Sequence, residues 1–318
     1  MAYHSLGDGL IYLMLAGILR RNGYEPTLFS EAMSALQARF AEPVPVEPLP
    51  RTPDAVARTI DRFDATVADF LSLPFREADE DAMRSWASGK VVFTCAKRMP
   101  ETLKAPERER CGLRLRGGSF LEEMPEETIA VEGMVRFARS LGLKAEAFAP
   151  LRRGGPPGDA RRVVISPESP DPRKNWHPAG FVELAGRLEG MGFEPVFSVA
   201  PSDRERWVDW LNGRFPVADT PSLAELADLL DGARAVVAND SGTGHLASAL
   251  GLPVLTIFRR PATRFKWQPG WGPVRVVGPR FCFRLAGRRR WRRLLSVDRA
   301  VRAFRELMDE SCKQERSV

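Results

Sequence analysis

The sequence predicts an α/β fold divided into two domains, on three observations. From Ala235 to Phe258 the chain reads AVVANDSGTGHLASALGLPVLTIF: a short apolar run, a polar glycine-rich turn, a helix and a second apolar run. Apolar runs this short suit buried parallel strands, so the unit is strand, turn, helix, strand. A second such unit opens the chain over Ala2 to Ser30. Between them, LRRGGPPGDARR at Leu151 to Arg162 has adjacent glycine and proline pairs and no apolar periodicity, which marks a linker.

A chain of 318 residues holds one large or two ordinary domains. The linker sets the expected boundaries at 1–152 and 161–318. The apolar fraction, 44%, is that of a soluble globular protein. Leu10 to Leu19, the longest apolar stretch, is broken by Gly17 and is too short to span a bilayer. No basic-then-apolar leader opens the chain, so a cytoplasmic location is expected. Cys95, Cys111, Cys282 and Cys312 are widely spaced and form no C-x-x-C, and are read as thiols without a metal or disulfide framework.

In the first half, Ala2 to Ser5 reads as a very short strand, Leu6-Gly7-Asp8-Gly9 as a tight turn, and Leu10 to Arg21 as a helix apolar nearly all round. Gly23 ends the helix and Thr27 to Ser30 is the returning strand. Pro43, Pro45, Pro48, Pro50 and Pro53 mark loops. Strands are expected at Ala65 to Phe70 and at Val91 to Cys95, a loop at Thr102 to Glu123 and a helix at Glu127 to Leu141. Asp79-Glu80-Asp81 has the D-x-D form of metal-dependent transferases. It lies inside a charged amphipathic pattern, and is read as a solvated face with no metal site.

In the second half, Val163-Val164-Ile165 restarts a sheet and Ser166 to Asn175 is a polar loop. Pro178 suits the first turn of the following helix, which runs to Gly190. Glu194 to Val199 is a strand, followed by acids at Asp203 and Glu205, and Ala224 to Leu230 is a helix. Ser296 caps a closing helix over 297–310 whose apolar face is Val297, Val301, Phe304 and Met308. The net charge of +6 is modest but unevenly placed. From Arg280 to Arg293 there are seven arginines and no acid, interleaved with Phe281, Phe283 and Trp291. Such a run fits an anionic membrane surface or anionic glycan, and equally a solvated loop. Nucleic acid is a weaker partner, because no helix-turn-helix, finger or RNA-binding signature accompanies the charge.

Two ligands compete for the central turn. Gly242-Thr243-Gly244-His245-Leu246-Ala247 has the G-x-G-x-x-A form of a dinucleotide fingerprint. It lies in the last third of the chain, and roughly 20 residues on, where an acid should meet the ribose, stands Ala262-Thr263-Arg264. The other reading is a sugar-nucleotide site. Asp240 and His245 would flank the turn, and the amides of Gly242 to His245, at the bare start of a helix, would hold a diphosphate.

NDSGTGHLASALGLPVLTIF also resembles the signature region of glycosyltransferase family nine, the bacterial ADP-heptose:lipopolysaccharide heptosyltransferases. The resemblance implies the GT-B fold, two Rossmann-like domains with parallel sheets facing a central cleft, the last helix crossing back to the first domain. Gly7-Asp8 matches the family's amino-terminal Gly-Asp, which makes Asp8 the catalytic base toward an acceptor hydroxyl. Lys174-x-Trp176 matches its Lys-x-Trp, which makes Lys174 a phosphate ligand, with Ser166 a weaker one. The ribose acid falls on Asp203, with Glu205 close behind. Asp240, Ser241, Gly242, Thr243, Gly244 and His245 complete the donor site. Where the family continues Gly-Pro-Thr, this chain has Arg259-Arg260-Pro261, two arginines suited to an acidic acceptor.

The resemblance further implies an inverting, metal-independent transfer of heptose from an ADP-sugar to a saccharide such as lipopolysaccharide core, at the inner face of the membrane, with no cofactor. Protein or natural-product acceptors stand as alternatives. So do a nucleotide-sugar epimerase, an NAD(P)-dependent oxidoreductase and a non-catalytic glycan-binding module.

Overall fold

The computed structural model describes residues 5–69, 90–95, 128–154, 161–261, 266–285 and 288–316. The chain divides into two compact units, Met1–Pro150 and Leu151–Val318. Asp79-Glu80-Asp81 and the loop expected at Thr102 to Glu123 lie outside the described residues, as does the strand expected at Ala2 to Ser5, save Ser5.

Ser5 caps helix α1 (Leu6–Arg21), its hydroxyl accepting a hydrogen bond from the Asp8 amide at 3.2 Å. The tight turn expected over Leu6 to Gly9 is therefore the first turn of the helix. The cap explains the difference, because it satisfies an N–H that a helix start otherwise leaves open. Burial of α1 includes Leu10, Ile11, Leu13, Met14, Leu15 and Ile18, so it wraps most of the helix, as an all-apolar pattern requires. Strand β1 (Leu28–Phe29) is shorter than expected, and Ser30 instead opens α2 (Glu31–Ser34). β1 pairs in parallel with β2 (Val46–Glu47), inside the stretch read as proline loops. Pro45 lacks a donor but still offers its carbonyl, which accepts from the Leu28 amide at 2.8 Å. Thr52 caps α3 (Pro53–Asp61). β3 (Thr66–Asp69) and β4 (Val91–Cys95) pair in parallel where strands were expected. The hydroxyls of Tyr12 and Thr94 share a hydrogen bond that fastens α1 to β4. α4 (Ala130–Ser140) closes the described part of this unit.

The second unit alternates strands and helices. In order these are β5 (Arg162–Ser166), α5 (Pro178–Glu189), β6 (Glu194–Phe197), α6 (Arg204–Leu211), α7 (Leu223–Asp231), β7 (Ala235–Asn239), α8 (Gly242–Ala249), β8 (Val254–Ile257) and β9 (Val274–Val277). An antiparallel hairpin of β10 (Phe283–Leu285) and β11 (Arg288–Arg290) follows, then α9 (Val297–Glu315). The sheet is parallel throughout, in the order β6-β5-β7-β8-β9. Its central strands are buried at every residue, because helices cover both faces. Ser222 and Glu225 form a reciprocal capping box on α7. Gly251, at φ +78, ends α8 in the left-handed conformation that glycine takes without strain.

Two expectations change here. The linker begins inside the second unit: Arg153 Nε pairs with Asp231 Oδ1 at 2.9 Å, and the Leu151 amide donates to the Ala249 carbonyl at 3.3 Å. Residues 155–160 lie outside the described residues. The closing helix runs on to Glu315 and buries Val297, Ala300, Val301, Phe304 and Leu307 in its own unit's core, with Phe304 edge-on to Phe193 at 5.2 Å. Its apolar stripe packs on the second unit's own sheet and on α5.

His177 caps α5, its Nδ1 accepting from the Gly180 amide at 2.8 Å, and Pro178 occupies the first helical position as expected. Gly180 has no room for a side chain: an added Cβ would lie 2.7 Å from both the Trp176 and His177 rings. Trp176 is itself 1% exposed and packs on Phe181. Gly180→Ala is therefore expected to destabilise the second unit by about 1–3 kcal/mol through overpacking. Urea denaturation checks this, and an unchanged midpoint would show that the Trp176 ring yields freely.

Candidate functional site

In a parallel sheet every strand's carboxyl end reaches the same edge. From β5 the chain crosses to β6 on one side, and from β6 it returns past β5 to β7 on the other. The loops after β5 and β7 therefore diverge at neighbouring strand ends, the switch point where open α/β sheets form a ligand crevice. Lys174 and Asp240 stand on these two loops, and Lys174 Nζ meets Asp240 Oδ2 at 2.8 Å. Both stay partly open to solvent, at 35% and 21% exposure.

Asn239, the last residue of β7, holds this edge together. Its side chain is wholly buried, accepts the Trp176 amide at 3.0 Å on Oδ1, and donates from Nδ2 to the Pro167 carbonyl. One amide thus ties the strand end to both limbs of the loop that carries Lys174. Trp291 and Arg292 grip the same loop from the far end of the chain. Trp291 Nε1 donates to the Arg173 carbonyl at 3.3 Å, and Arg292 donates to the carbonyls of Asn175, at 2.7 Å, and Pro172. The Trp176 indole returns a bond to the Arg292 carbonyl at 2.8 Å. The arginine run, read as a membrane or glycan contact or a solvated loop, is at this end a structural clamp. The sequence reading missed Asn239, His177, Trp291 and Arg292 as positioning residues. For Asn239 the signal was present: an uncharged amide terminating a purely apolar strand.

Helix α8 begins at Gly242, so the glycine-rich stretch read as a turn forms the first turn of the helix. Ser241 is its cap position but makes no side-chain capping bond. The amides of Gly242, Thr243 and Gly244 form the open first turn, whereas the His245 amide already reaches the Ser241 carbonyl at 3.5 Å. The expected cradle of Gly242 to His245 thus shrinks by one donor. The His245 ring is buried, at 9% exposure, and hydrogen-bonds the main chain of Trp267. Burial pushes its pKa down to about 4, against the opposing pull of Asp240 and the Trp267 bond. The imidazole is accordingly neutral at physiological pH and brings no positive charge to the site.

Ser166, at the end of β5, is only 4% exposed. Asp203 lies in the turn after β6, and Arg206 bridges it, at 2.9 Å, to Glu168 of the Lys174 loop, at 2.7 Å. Glu205 is exposed on α6. Arg259 follows β8. The carboxyl of Asp171 is lowered to about 2, first by its hydrogen bonds from Arg173, with the Arg259 charge adding to the effect. The structure so brings the ends of β5, β7 and β8 and their loops to one edge, with Lys174, Asp240, the Gly242 turn and Arg259 on it. Arg260 is exposed beside Arg259. Asp8 belongs to the other unit. It is half-buried at the third position of α1, hydrogen-bonded by the Ser5 hydroxyl. Burial raises its pKa above the ordinary carboxylate value, outweighing the Ser5 and main-chain hydrogen bonds, which lower it.

Two predictions follow from this edge. Asn239→Ala leaves the Trp176 amide and the Pro167 carbonyl unpaired in the interior, at a cost of about 2–4 kcal/mol in chemical denaturation. Folding holds His245 below its unfolded pKa, so the neutral form is favoured. Its contribution is complete above the unfolded pKa and is lost as pH falls toward the folded value, about 4. Between pH 7 and pH 5 that loss is roughly 2 kcal/mol. His177, lowered by burial, acts in the same direction. His245→Gln should flatten the pH dependence of the urea midpoint, and an unaltered slope would contradict the assignment.

Residues 127–276 match the family Glycosyltransferase family 9 (heptosyltransferase). Lipopolysaccharide heptosyltransferase 1 of Pseudomonas aeruginosa is 43% identical over 90 residues, 27% of this chain and 25% of that protein. The chain therefore spans about a quarter of the curated relative it matches. Among solved structures, E. coli heptosyltransferase WaaC with ADP aligns with a TM-score of 0.62 at 20% identity, over 96% of this chain and 97% of that one. E. coli ADP-heptose lps heptosyltransferase II aligns at 0.64 and 15% identity over 97% of each, and a family 9 glycosyl transferase from Veillonella parvula at 0.63 and 15%, over 97% of this chain and 96% of that one. The chain has the GT-B fold of these proteins, and its segment 127–276 is similar in sequence to glycosyltransferase family 9.

Proposed function

We propose that the chain is an inverting glycosyltransferase that moves heptose from an ADP-sugar to a bacterial saccharide, lipopolysaccharide core, without a divalent cation. The observation that carries this reading is the Lys174–Asp240 pair at the switch point, beside the open amides of α8. A diphosphate leaving group needs positive charge placed before it departs. An ammonium and a helix start supply that charge, each in a form that needs no metal. An incoming diphosphate would compete with Asp240 for Lys174, and the freed Asp240 would accept from a donor hydroxyl. The similarity to WaaC, solved with ADP, and to lipopolysaccharide heptosyltransferase 1 supports the choice of donor and acceptor.

In this mechanism Asp8 accepts the proton of the acceptor hydroxyl. The oxygen attacks the anomeric carbon from the side opposite the diphosphate, forming the new glycosidic bond as the bond to the phosphate oxygen breaks. One displacement inverts the centre. The raised pKa of Asp8 makes it a stronger base than an exposed aspartate. Lys174 and the Gly242, Thr243 and Gly244 amides meet the charge that builds on the leaving group. Ser166 and Ser241 add hydroxyls near the phosphates, and Asp203, rather than the outlying Glu205, holds the ribose. His245, being neutral, bonds the phosphate or sugar without adding charge. Arg259 and Arg260 face an acidic acceptor, at the cytoplasmic side of the membrane.

Asp8→Asn should leave ADP binding by calorimetry intact and lower turnover by roughly two to four powers of ten; normal turnover would remove Asp8 from this role. Lys174→Ala should weaken ADP roughly ten- to a hundredfold, the value of a charge-assisted bond. In thermal shift, ADP should raise the melting temperature and UDP or GDP should not. Equal shifts from all three would refute the adenine preference.

A further inference from the structure

We propose that Tyr12 is a positioning residue for Asp8, holding the start of α1 at one depth and one rotation against the first unit's strands. The inference rests on the reading of Asp8 as the base. A carboxylate accepts a proton only within hydrogen-bond reach of it, so a base on the first turn of a helix works where that helix is fixed. Three contacts fix this one. Ser5 meets both the Asp8 carboxylate and the Asp8 amide at the cap. Gly9 brings α1 close to the start of α2: an added Cβ would lie 3.2 Å from the Ser30 hydroxyl and from the buried Met33 side chain. Tyr12 supplies the third contact, which reaches furthest along the chain.

Tyr12 stands four residues after Asp8, one turn on and on the same face of α1. Aromatic side chains on helices lean back over the preceding turn, which here carries Asp8. Tyr12 and Thr94 are both buried, and their hydroxyls bond across 82 positions of sequence. Counting protons gives the direction of that bond. Thr94 donates its single hydroxyl proton to the Ala68 carbonyl at 3.3 Å, so toward Tyr12 it accepts. The phenol is the donor, and one chain of bonds runs from α1 through β4 to β3. Ala68 and Thr94 are the next-to-last residues of their strands, β3 ending at Asp69 and β4 at Cys95. The bonds therefore lie at the carboxyl edge of this strand pair, the side on which open parallel sheets bind ligands. A phenyl ring would fill the same space with no bond to satisfy; the hydroxyl adds a fixed direction.

The test is the rate of transfer from ADP-heptose to deacylated lipopolysaccharide core, with folding followed by urea denaturation and ADP affinity by calorimetry. Y12F keeps the ring and removes the donor. It should lower kcat roughly ten- to a hundredfold, leaving KM for the donor and ADP affinity as in the wild type. T94V should match it, and Y12F/T94V should lose no more than either single variant, because all three remove the same bond. T94S keeps the hydroxyl and should retain wild-type turnover. The deciding variant is D8N/Y12F. If Tyr12 acts through the Asp8 carboxylate, adding Y12F to D8N should leave the residual rate where it was, whereas general damage to the fold would lower it by the factor seen in Y12F alone. Wild-type kcat in Y12F, additive losses in D8N/Y12F, or a loss that T94S shares would overturn the proposal. Normal turnover in D8N alone would remove the base itself, a separate failure that takes this proposal with it.

Discussion

A single buried amide organises the second unit's edge. Asn239 ends β7 with no solvent exposure, and its two hydrogen bonds reach residues 63 and 72 positions earlier in the chain. A polar group placed there must be paired, since an unmade bond in the interior costs more than a made one contributes. The requirement turns a strand end into a junction: β7, the start of the 167–176 loop and its finish cannot move independently. Trp291 and Arg292 close the same loop from outside, capping carbonyls that a short 3-10 turn leaves open. The loop is held by its main chain, which leaves the Lys174 side chain available for another partner.

That arrangement suits a binding site better than a stabilising one. The Lys174–Asp240 pair is partly exposed, and an ion pair in that setting adds little to stability. In the function proposed above, its worth lies in holding an ammonium at the crevice before an anion arrives. His245 contrasts with it. Buried and bonded to the main chain, it is kept neutral by desolvation, and so contributes shape and a hydrogen bond, not charge. Asp8 shows desolvation acting on an acid, where the same effect raises the pKa. Burial thus favours the uncharged form of both groups, a neutral imidazole at His245 and a protonated carboxyl at Asp8.

Much of this was legible in the sequence because the second unit is built from local patterns. Apolar runs of four or five residues became strands, Pro178 began a helix and Gly251 ended one, each a backbone preference that neighbours do not overrule. The first unit was read less well. Its strands are two to five residues long, and the glycines around Asp8 resembled a turn until the Ser5 cap drew them into a helix. In the same way α8 starts at Gly242, with Ser241 at its capping position, so the glycines read as a turn ahead of the helix are its first turn. A cap depends on which oxygen reaches which amide, a difference of one residue that composition does not encode.

By itself, the sequence determined the α/β class, the strand-turn-helix-strand unit at 235–258 and the residue types a diphosphate would need, because these rest on periodicity and side-chain chemistry. Only the tertiary structure decided that Lys174 faces Asp240, that Asn239 binds the two loop limbs, and that one end of the arginine run is a clamp. The physical reason is separation along the chain: the clamp partners stand 117 to 120 residues apart, and a contact of that span exists only once the sheet order has set which strand ends are neighbours.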